Sequence, residues 1–349
     1  VTVITSFPKE LTTAYQKAFE AKFPNDKLEI LNKNTAAGIA FVREQPVGSR
    51  PEIFWASAPD AFEVLASSKL LQKTDARNPA VPAKIGNYPI NDPKGYYLGQ
   101  ALAGYGIMWN TRYVKANKLP EPREWSDLAK PVYLSHLAIS SPSRSGTTHL
   151  TLETILQGEG WDKGWADLLH ISGNCAAITE RSFGVPDGVN NGQFGIGLVI
   201  DFFGLAAKNS GMPVEFVYPS VTAIVPANIA LIEGAKSSEA GKRFIEFTLS
   251  EEGQMLLLQK DISRLPVLPS VNQVCLRSSS SKAVMRARYG SSCGTCGRLQ
   301  LVGCGFCPVS QSGSAFVPSE PWQTQGFSVT TGSAWSRQTC IASGRKPQR

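Results

Sequence analysis

The sequence predicts an α/β fold, and three observations carry that prediction. Over the first hundred residues, stretches with strand character alternate with stretches of helical periodicity. The loops between them are short and rich in hydroxyl residues. No apolar run approaches the roughly 18 residues that a membrane-spanning helix requires.

The elements follow in order. "VTVITSF" reads as a strand, "KELTTAYQKAFEAKFP" as a helix stopped by Pro24, "KLEILNKN" as a strand and "TAAGIAFVREQP" as a helix. "PEIFWAS" is a third strand and "APDAFEVLASSKLL" a third helix, completing a βαβαβα pattern with a mostly parallel sheet. Ligands of such sheets sit beyond the carboxyl ends of the strands. Here those ends are "TSF" with Ser6 and Phe7, "NKNT" with Thr35, and "WASAP" with Ser57. "GQALAGYGIMWN" reads as two strand pieces broken by glycines, and "TRYVKANKLPEPREWSDLAKP" as a helix and a Pro-rich turn.

A second α/β segment occupies about 130–220. The strand "VYLSHLAIS" runs into "SPSRSGTTHLTLETI", where Ser143, Ser145, Gly146, Thr147 and Thr148 precede an apolar helical repeat of Leu150, Leu152, Ile155 and Leu156. The first N–H groups of a helix have no internal partner and the helix dipole is positive there, so a phosphate or carboxylate is favoured. A self-capped helix without ligand is the alternative. "WDKGWADLLHIS" is a further helix, and "ERSFGVPDGVNNG" a second loop entering a helix, with Arg181 beside the cap Ser182 and Pro186 in the first turn. Arg181 can fork onto a phosphate or pair with an acid such as Glu180. "FGIGLVIDFF" reads as a buried strand whose end is interrupted by Asp201, which is expected to face a cleft and to accept from a sugar hydroxyl or an amine. Two more strands, "EFVYPSVTAIVPANIALI", lead to the amphipathic helix pair "SSEAGKRFIEFTLSEEGQMLLLQ".

Composition bounds the function. Of 35 Lys and Arg and 28 Asp and Glu, residues 268–349 hold nine and one, leaving 26 basic and 27 acidic residues in the rest. The overall charge of +7 thus belongs to the tail, and the near-neutral body gives no footprint for nucleic acid. Six of the seven cysteines also lie in the tail, and only Cys175 is in the body. No convergent catalytic set is recognisable, which leaves an enzyme as a remoter alternative: His136, His149 and His170 have no HExxH or GxSxG context, and "GQFGIG" runs into a strand where a dinucleotide loop requires a helix.

Three stretches are similar to a known family. "SSEAGKRFIEFTLSEEGQMLL" resembles the late helix of extracellular solute-binding proteins. "NTAAGIAFVREQP…PEIFWASAPDAFEVL" and "ITERSFGVPDGVNNGQFGIGLVIDFFGLAAKNSGMPVEFVYP" resemble the type II periplasmic binding proteins that include ferric-ion and sugar-phosphate binders. The resemblance covers residues 1 to about 267. It implies two α/β lobes, each a mostly parallel sheet flanked by helices, joined by two crossing strands near Gly104–Gly106 and Ser220–Ile224. Residues 1–104 with 222–267 form the first lobe and 105–221 the second. The implied role is the periplasmic, non-enzymatic and monomeric solute carrier of an ABC importer, handing its ligand to a membrane permease. The leader of such proteins is absent from this sequence.

The ligand expected from these residues is a phosphorylated organic molecule: a hexose phosphate, phosphoglycerate or a phosphonate. Ferric binders of this branch carry two adjacent tyrosines after the late second-lobe strand, where this sequence has Phe202 and Phe203. Tyr96 and Tyr97 lie on the wrong side of the first crossing. Ferric iron with a synergistic anion is therefore the alternative, and neither a cofactor nor a resident metal is expected. The site residues are Ser6, Phe7, Thr35, Ser57, Ser143, Ser145, Gly146, Thr147, Arg181, Ser182 and Asp201.

Residues 268–349 abandon helical and strand periodicity for Ser, Gly, Cys and Arg, as translation out of frame produces, and are expected to be non-native or disordered. Cys293, Cys296, Cys304 and Cys307 form C-x2-C-x7-C-x2-C. The seven-residue gap matches poorly the roughly 15 to 20 residues usual between zinc-binding pairs.

Overall fold

The computed structural model describes residues 1–85, 88–271 and 315–316. The strands of four or more residues are β1 (Thr2–Thr5), β2 (Glu29–Asn32), β3 (Ile53–Ala56), β4 (Leu98–Asn110), β5 (Leu137–Ser140), β6 (Cys175–Thr179), β7 (Ile196–Ile200), β8 (Val214–Val217) and β9 (Thr222–Ile232). They follow the order β2-β1-β3-β9-β4-β7-β5-β6, with β8 also pairing β4. The helices are α1 (Lys9–Lys22), α2 (Thr35–Glu44), α3 (Pro59–Ser67), α4 (Thr111–Ala116), α5 (Gly146–Glu159), α6 (Trp161–Gly173), α7 (Gly184–Asn191), α8 (Asp201–Asn209), α9 (Ser238–Leu249) and α10 (Glu251–Leu256).

The path divides into two halves. In the first, β1 is parallel to β2 (Val3 opposite Ile30) and to β3 (Val3 opposite Ile53), while β9 returns antiparallel to β3 (Ile229 opposite Trp55). In the second, β5 is parallel to β7 (Leu137 opposite Ile196) and to β6 (Ile139 opposite Ile178). β4 and β9 feed both, Ala223 and Val225 of β9 packing in the second core and Ala227, Ile229 and Leu231 in the first. The start of β4 pairs with β9 (Ala103 opposite Val225), and its end pairs with β7 (Ile107 opposite Leu198) and β8 (Ile107 opposite Val217).

Alternation along the buried strands feeds cores on both faces of each half. Trp55 points toward α1 and α9, where Tyr15 lies 5.1 Å and Phe244 5.7 Å from it, ring centre to ring centre. Phe54 points the other way, onto Phe62 of α3, in a cluster with Ile4, Val42 and Leu65. In the second half, Leu150, Ile155, Leu168 and Ile171 of α5 and α6 cover Ile107, Leu137 and Leu198. The opposite face packs Val185, Val189 and Leu205 on Met108, Ala138 and Val199. Each such side chain contributes roughly 1.5 to 3 kcal/mol on burial. After α10 the chain pairs Leu265–Pro266 with Ala101–Leu102 of β4, which places Arg264 in the interior.

Some elements differ from expectation. Leu98–Asn110 is one strand of 13 buried residues, not two pieces. Its glycines serve close approach: a Cβ at Gly106 would lie 2.3 Å from the Val217 carbonyl oxygen, and one at Gly104 2.8 Å from the Tyr218 ring. Cys175–Thr179 is an additional strand at the edge of the path, with alternate side chains exposed. The strand Ile196–Ile200 stops before Asp201, which opens α8.

The described chain is packed past residue 267, with Leu268 and Val271 buried, and Ala315–Phe316 pair in parallel with Thr222–Ala223. The remaining tail residues, including the four cysteines of the paired C-x2-C pattern, lie outside the described residues.

Candidate ligand-binding site

Five strand ends converge on one small pocket between the halves. Ser6 follows β1, Asn34 and Thr35 follow β2, and Ser57 and Ala58 follow β3. From the second half, Arg144, Ser145, Gly146 and Thr147 follow β5, and Arg181 and Ser182 follow β6. All five are carboxyl ends of parallel strands, the side of an α/β sheet where bound groups meet loop N–H groups and helix starts.

The local chemistry of each loop sets its donors. Asn34 caps α2 by accepting from the Ala37 N–H at 2.8 Å, which leaves the Thr35 hydroxyl on the pocket wall. Ser145 caps α5, accepting from the Thr148 N–H at 3.3 Å. Thr148 is tied to the end of β5 by a short hydroxyl contact with Ser140. Gly146 and Thr147 open the helix, where N–H groups have no carbonyl one turn back, and both line the pocket. The self-capping alternative is thus realised in part, since Ser145 serves its own helix and its neighbours face the pocket.

Two cations stand at the rim. Arg144 is exposed and pairs with Glu180 at 2.5 Å, so the acid proposed for Arg181 is engaged elsewhere. Arg181 donates to the neutral amide oxygen of Asn32 at 2.6 Å, a contact from the second half to the first, and has no salt bridge among the described residues. Its guanidinium lies 4.8 Å from the Phe183 ring, and partial burial draws its pKa below the ordinary arginine value against the opposing effect of Glu180.

The halves touch here. A Cβ on Gly146 would stand 2.6 Å from the Ala58 Cβ and 3.3 Å from the Thr35 Oγ1. His149 of α5 is 2.8 Å through Nδ1 from Asp60 of α3, and Asp60 raises the imidazole pKa. The enclosed space is about 20 Å³, the order that one or two water molecules occupy. A larger cavity of about 540 Å³ lies between residues of α1 on one side and of α7 and α8 on the other, with Phe183, Phe202, Phe203 and Arg264 on its wall.

Of the residues expected from sequence, Ser6, Thr35, Ser57, Ser145, Gly146, Thr147, Arg181 and Ser182 line the small pocket together. Three are placed elsewhere. Ser143 is exposed and shares a hydrogen bond with the Ser141 hydroxyl at 3.0 Å. Phe7 is buried against Trp55. Asp201 is only 3% exposed and lines neither space. Its Oδ2 accepts from the Gly104 N–H at 2.9 Å and the Tyr218 hydroxyl at 2.8 Å, and its Oδ1 from the Phe202 N–H at 2.7 Å. The polar residue that interrupts the apolar run is a helix-start anchor, and its acceptors serve the protein.

Sequence reasoning missed Arg144, Asn34 and Arg264. Asn34 carries a usable signal, an Asn before a helical run; Arg264 carries none. Tyr97 belongs to the core beside Phe62, with its hydroxyl on Glu63. Phe202 and Phe203 contact each other with ring centres 4.5 Å apart and planes tilted by 47°. Among the described residues no group of three or more His, Cys, Asp or Glu is placed to hold a metal ion.

The arrangement gathers hydroxyls, the start of α5 and two arginines from both halves, and comparison with known proteins gives the family. Residues 49–286 match the family of bacterial extracellular solute-binding proteins, and the chain belongs to that family. It is 30% identical over 265 residues to the phosphoglycerate transport regulatory protein PgtC of Salmonella typhimurium, covering 76% of this chain. The chain spans 65% of the length of that relative. A putative 2-aminoethylphosphonate-binding periplasmic protein of Salmonella paratyphi A is 23% identical over 250 residues, 69% of this chain and 70% of that one.

Among solved structures, the periplasmic binding protein AfuA of Actinobacillus pleuropneumoniae, with fructose-6-phosphate bound, superposes with a TM-score of 0.71 at 20% identity, over 77% of this chain and 85% of that one. Iron-bound HitA of Pseudomonas aeruginosa gives 0.64 at 17% identity, over 77% and 86%. The fold is that of the type II periplasmic binding proteins.

Proposed function

We propose that this chain is the solute-binding component of an ABC importer, acting in the periplasm and carrying a phosphorylated small organic molecule to a membrane permease. The two halves act as lobes, 1–104 with 222–267 and 105–221, that separate to admit the solute and close on its anionic end. The observation that carries this reading is the small pocket itself. Hydroxyls from both halves, the start of α5 and Arg181 converge there, and no carboxylate or phenol stands among its lining residues. A phosphate monoester offers the acceptor oxygens that such donors require.

The same lining argues against ferric iron, a hard cation that calls for carboxylate or phenolate oxygens. PgtC, the phosphonate-binding relative and AfuA support the phosphate reading by the ligands in their names. The chain acts without catalysis in this reading. None of its three histidines lines either space; His136 meets the Tyr113 hydroxyl at 2.9 Å and His170 is exposed on α6.

A thermal-shift panel tests the proposal. At about 100 times its Kd, a true ligand contributes roughly 2.7 kcal/mol to stability. For a protein of this size that is a rise of several degrees in Tm. Organophosphates should produce it; stabilisation by ferric salts or free sugars in their place would contradict it.

A further inference from the structure

Arg264 is the one fully buried arginine among the described residues, 2% exposed, and its surroundings are unusual for a structural cation. Its guanidinium carbon lies over two rings, 4.0 Å from the centre of Phe7 in the first half and 3.7 Å from that of Phe202 in the second. Contact with the ring faces satisfies the charge in part but none of the N–H donors. Nη1 reaches the Ser57 hydroxyl at 3.4 Å, whereas Nε and Nη2 are buried with no hydrogen-bond partner among the described residues. Buried unpaired donors on a charged group are costly to leave unmade, so a group that fills them contributes strongly.

The position says what that group touches. Arg264 lines the 540 Å³ cavity and donates to Ser57, which lines the small pocket, so one hydrogen bond of 3.4 Å links the guanidinium to the anion site. Asp201 lends the cation Coulombic support, but its oxygens already accept from Gly104, Phe202 and Tyr218. Burial lowers the Arg264 pKa to about 9, which leaves it a cation at neutral pH.

We propose that Arg264 receives a second anionic group of the ligand, so that the solute carries a phosphate and a carboxylate joined by a short carbon chain. A carboxylate matches two parallel N–H donors of a guanidinium and supplies the opposite charge, which a sugar hydroxyl does not. With carbon–carbon bonds of about 1.5 Å, a two- or three-carbon spacer suits a receptor one hydrogen bond away from a residue of the phosphate pocket. The proposal rests on the phosphate reading of that pocket. The competing occupant is an amine, because Glu10 and Asp187 also line the cavity, and burial together with the charge of Glu10 raises the Asp187 pKa.

Calorimetric titration of the full chain with 3-phosphoglycerate, glycerol 3-phosphate and 2-aminoethylphosphonate decides the matter. Wild type should bind 3-phosphoglycerate at least about tenfold more tightly than glycerol 3-phosphate, which has the same phosphate and no carboxylate. Arg264→Gln should reduce that ratio to within about threefold, and Arg264→Lys, which keeps charge but not the fork, should fall between. If the variants do not fold, the wild-type ratio decides alone. Equal binding of the first two probes, tightest binding of 2-aminoethylphosphonate, or an unchanged ratio in Arg264→Gln overturns the inference and leaves the phosphate reading standing. Failure of all three probes to bind removes both.

Discussion

Replacing Gly146 with alanine isolates closure of the halves from the chemistry of the pocket. The new Cβ would sit 2.6 Å from the Ala58 Cβ, where apolar carbons ordinarily stop at roughly 3.5 to 4 Å, so the halves must stand off by about 1 Å. Overpacking of this kind costs about 1 to 3 kcal/mol, and here it falls only on the conformation in which α5 meets the loop before α3. Gly146→Ala should therefore weaken organophosphate binding by about 5- to 150-fold, while the free protein, able to rest with its halves apart, melts nearly unchanged. Calorimetric titration supplies the affinity, and small-angle scattering with and without ligand reports the compaction. Undiminished affinity in Gly146→Ala, with ligand still compacting the protein, would refute the reasoning that the halves close against each other at this point.

Arg181→Ala should weaken every phosphorylated ligand by a similar factor, on the order of 10- to 150-fold for the loss of a charged hydrogen bond; titration with two different esters checks the uniformity. The His149–Asp60 contact should make closure pH-dependent. Asp60 raises the His149 pKa above 6.5, so the pair contributes fully below that value and its contribution is lost as pH rises through the raised one. His149 is about half exposed, so the effect is under about 1 kcal/mol, and the Tm difference between wild type and His149→Gln should be present at about pH 6 and gone by about pH 9. Asp201→Asn replaces a buried acceptor of two N–H groups and a hydroxyl with a group half of which is itself a donor. It should destabilise the protein by about 1 to 3 kcal/mol, read as a drop of several degrees in Tm.

Most of the pocket could be read from the sequence because its residues obey local rules. Ser6, Thr35, Ser57 and the 145–147 run each sit between an apolar strand and a helical repeat, and in a parallel sheet all such junctions fall on one edge. Residues whose roles depend on tertiary neighbours were not readable. Arg264 lies in "DISRLPV", which has no motif; its place is set by Phe7 and Phe202, remote in sequence and meeting only when the halves come together. Asp201 misled for a related reason. A polar residue ending an apolar run marks either a cleft-facing group or a helix start, and the choice depended on the N–H of Gly104 and the hydroxyl of Tyr218. Cys175–Thr179 escaped notice because only alternate residues of this edge strand are shielded, too few to set it apart from a loop.

In the proposed complex both halves hold a phosphate in the pocket bounded by Ser6, Thr35, Ser57, Gly146 and Thr147. A crystal structure of the chain grown with the organophosphate that gives the largest thermal shift decides whether they do. The phosphorus centre should lie in that pocket, with oxygens at about 2.7 to 3.2 Å from the Gly146 and Thr147 N–H groups and from hydroxyls of the first half. A ligand whose phosphate lies in the larger cavity, away from the start of α5, would contradict it.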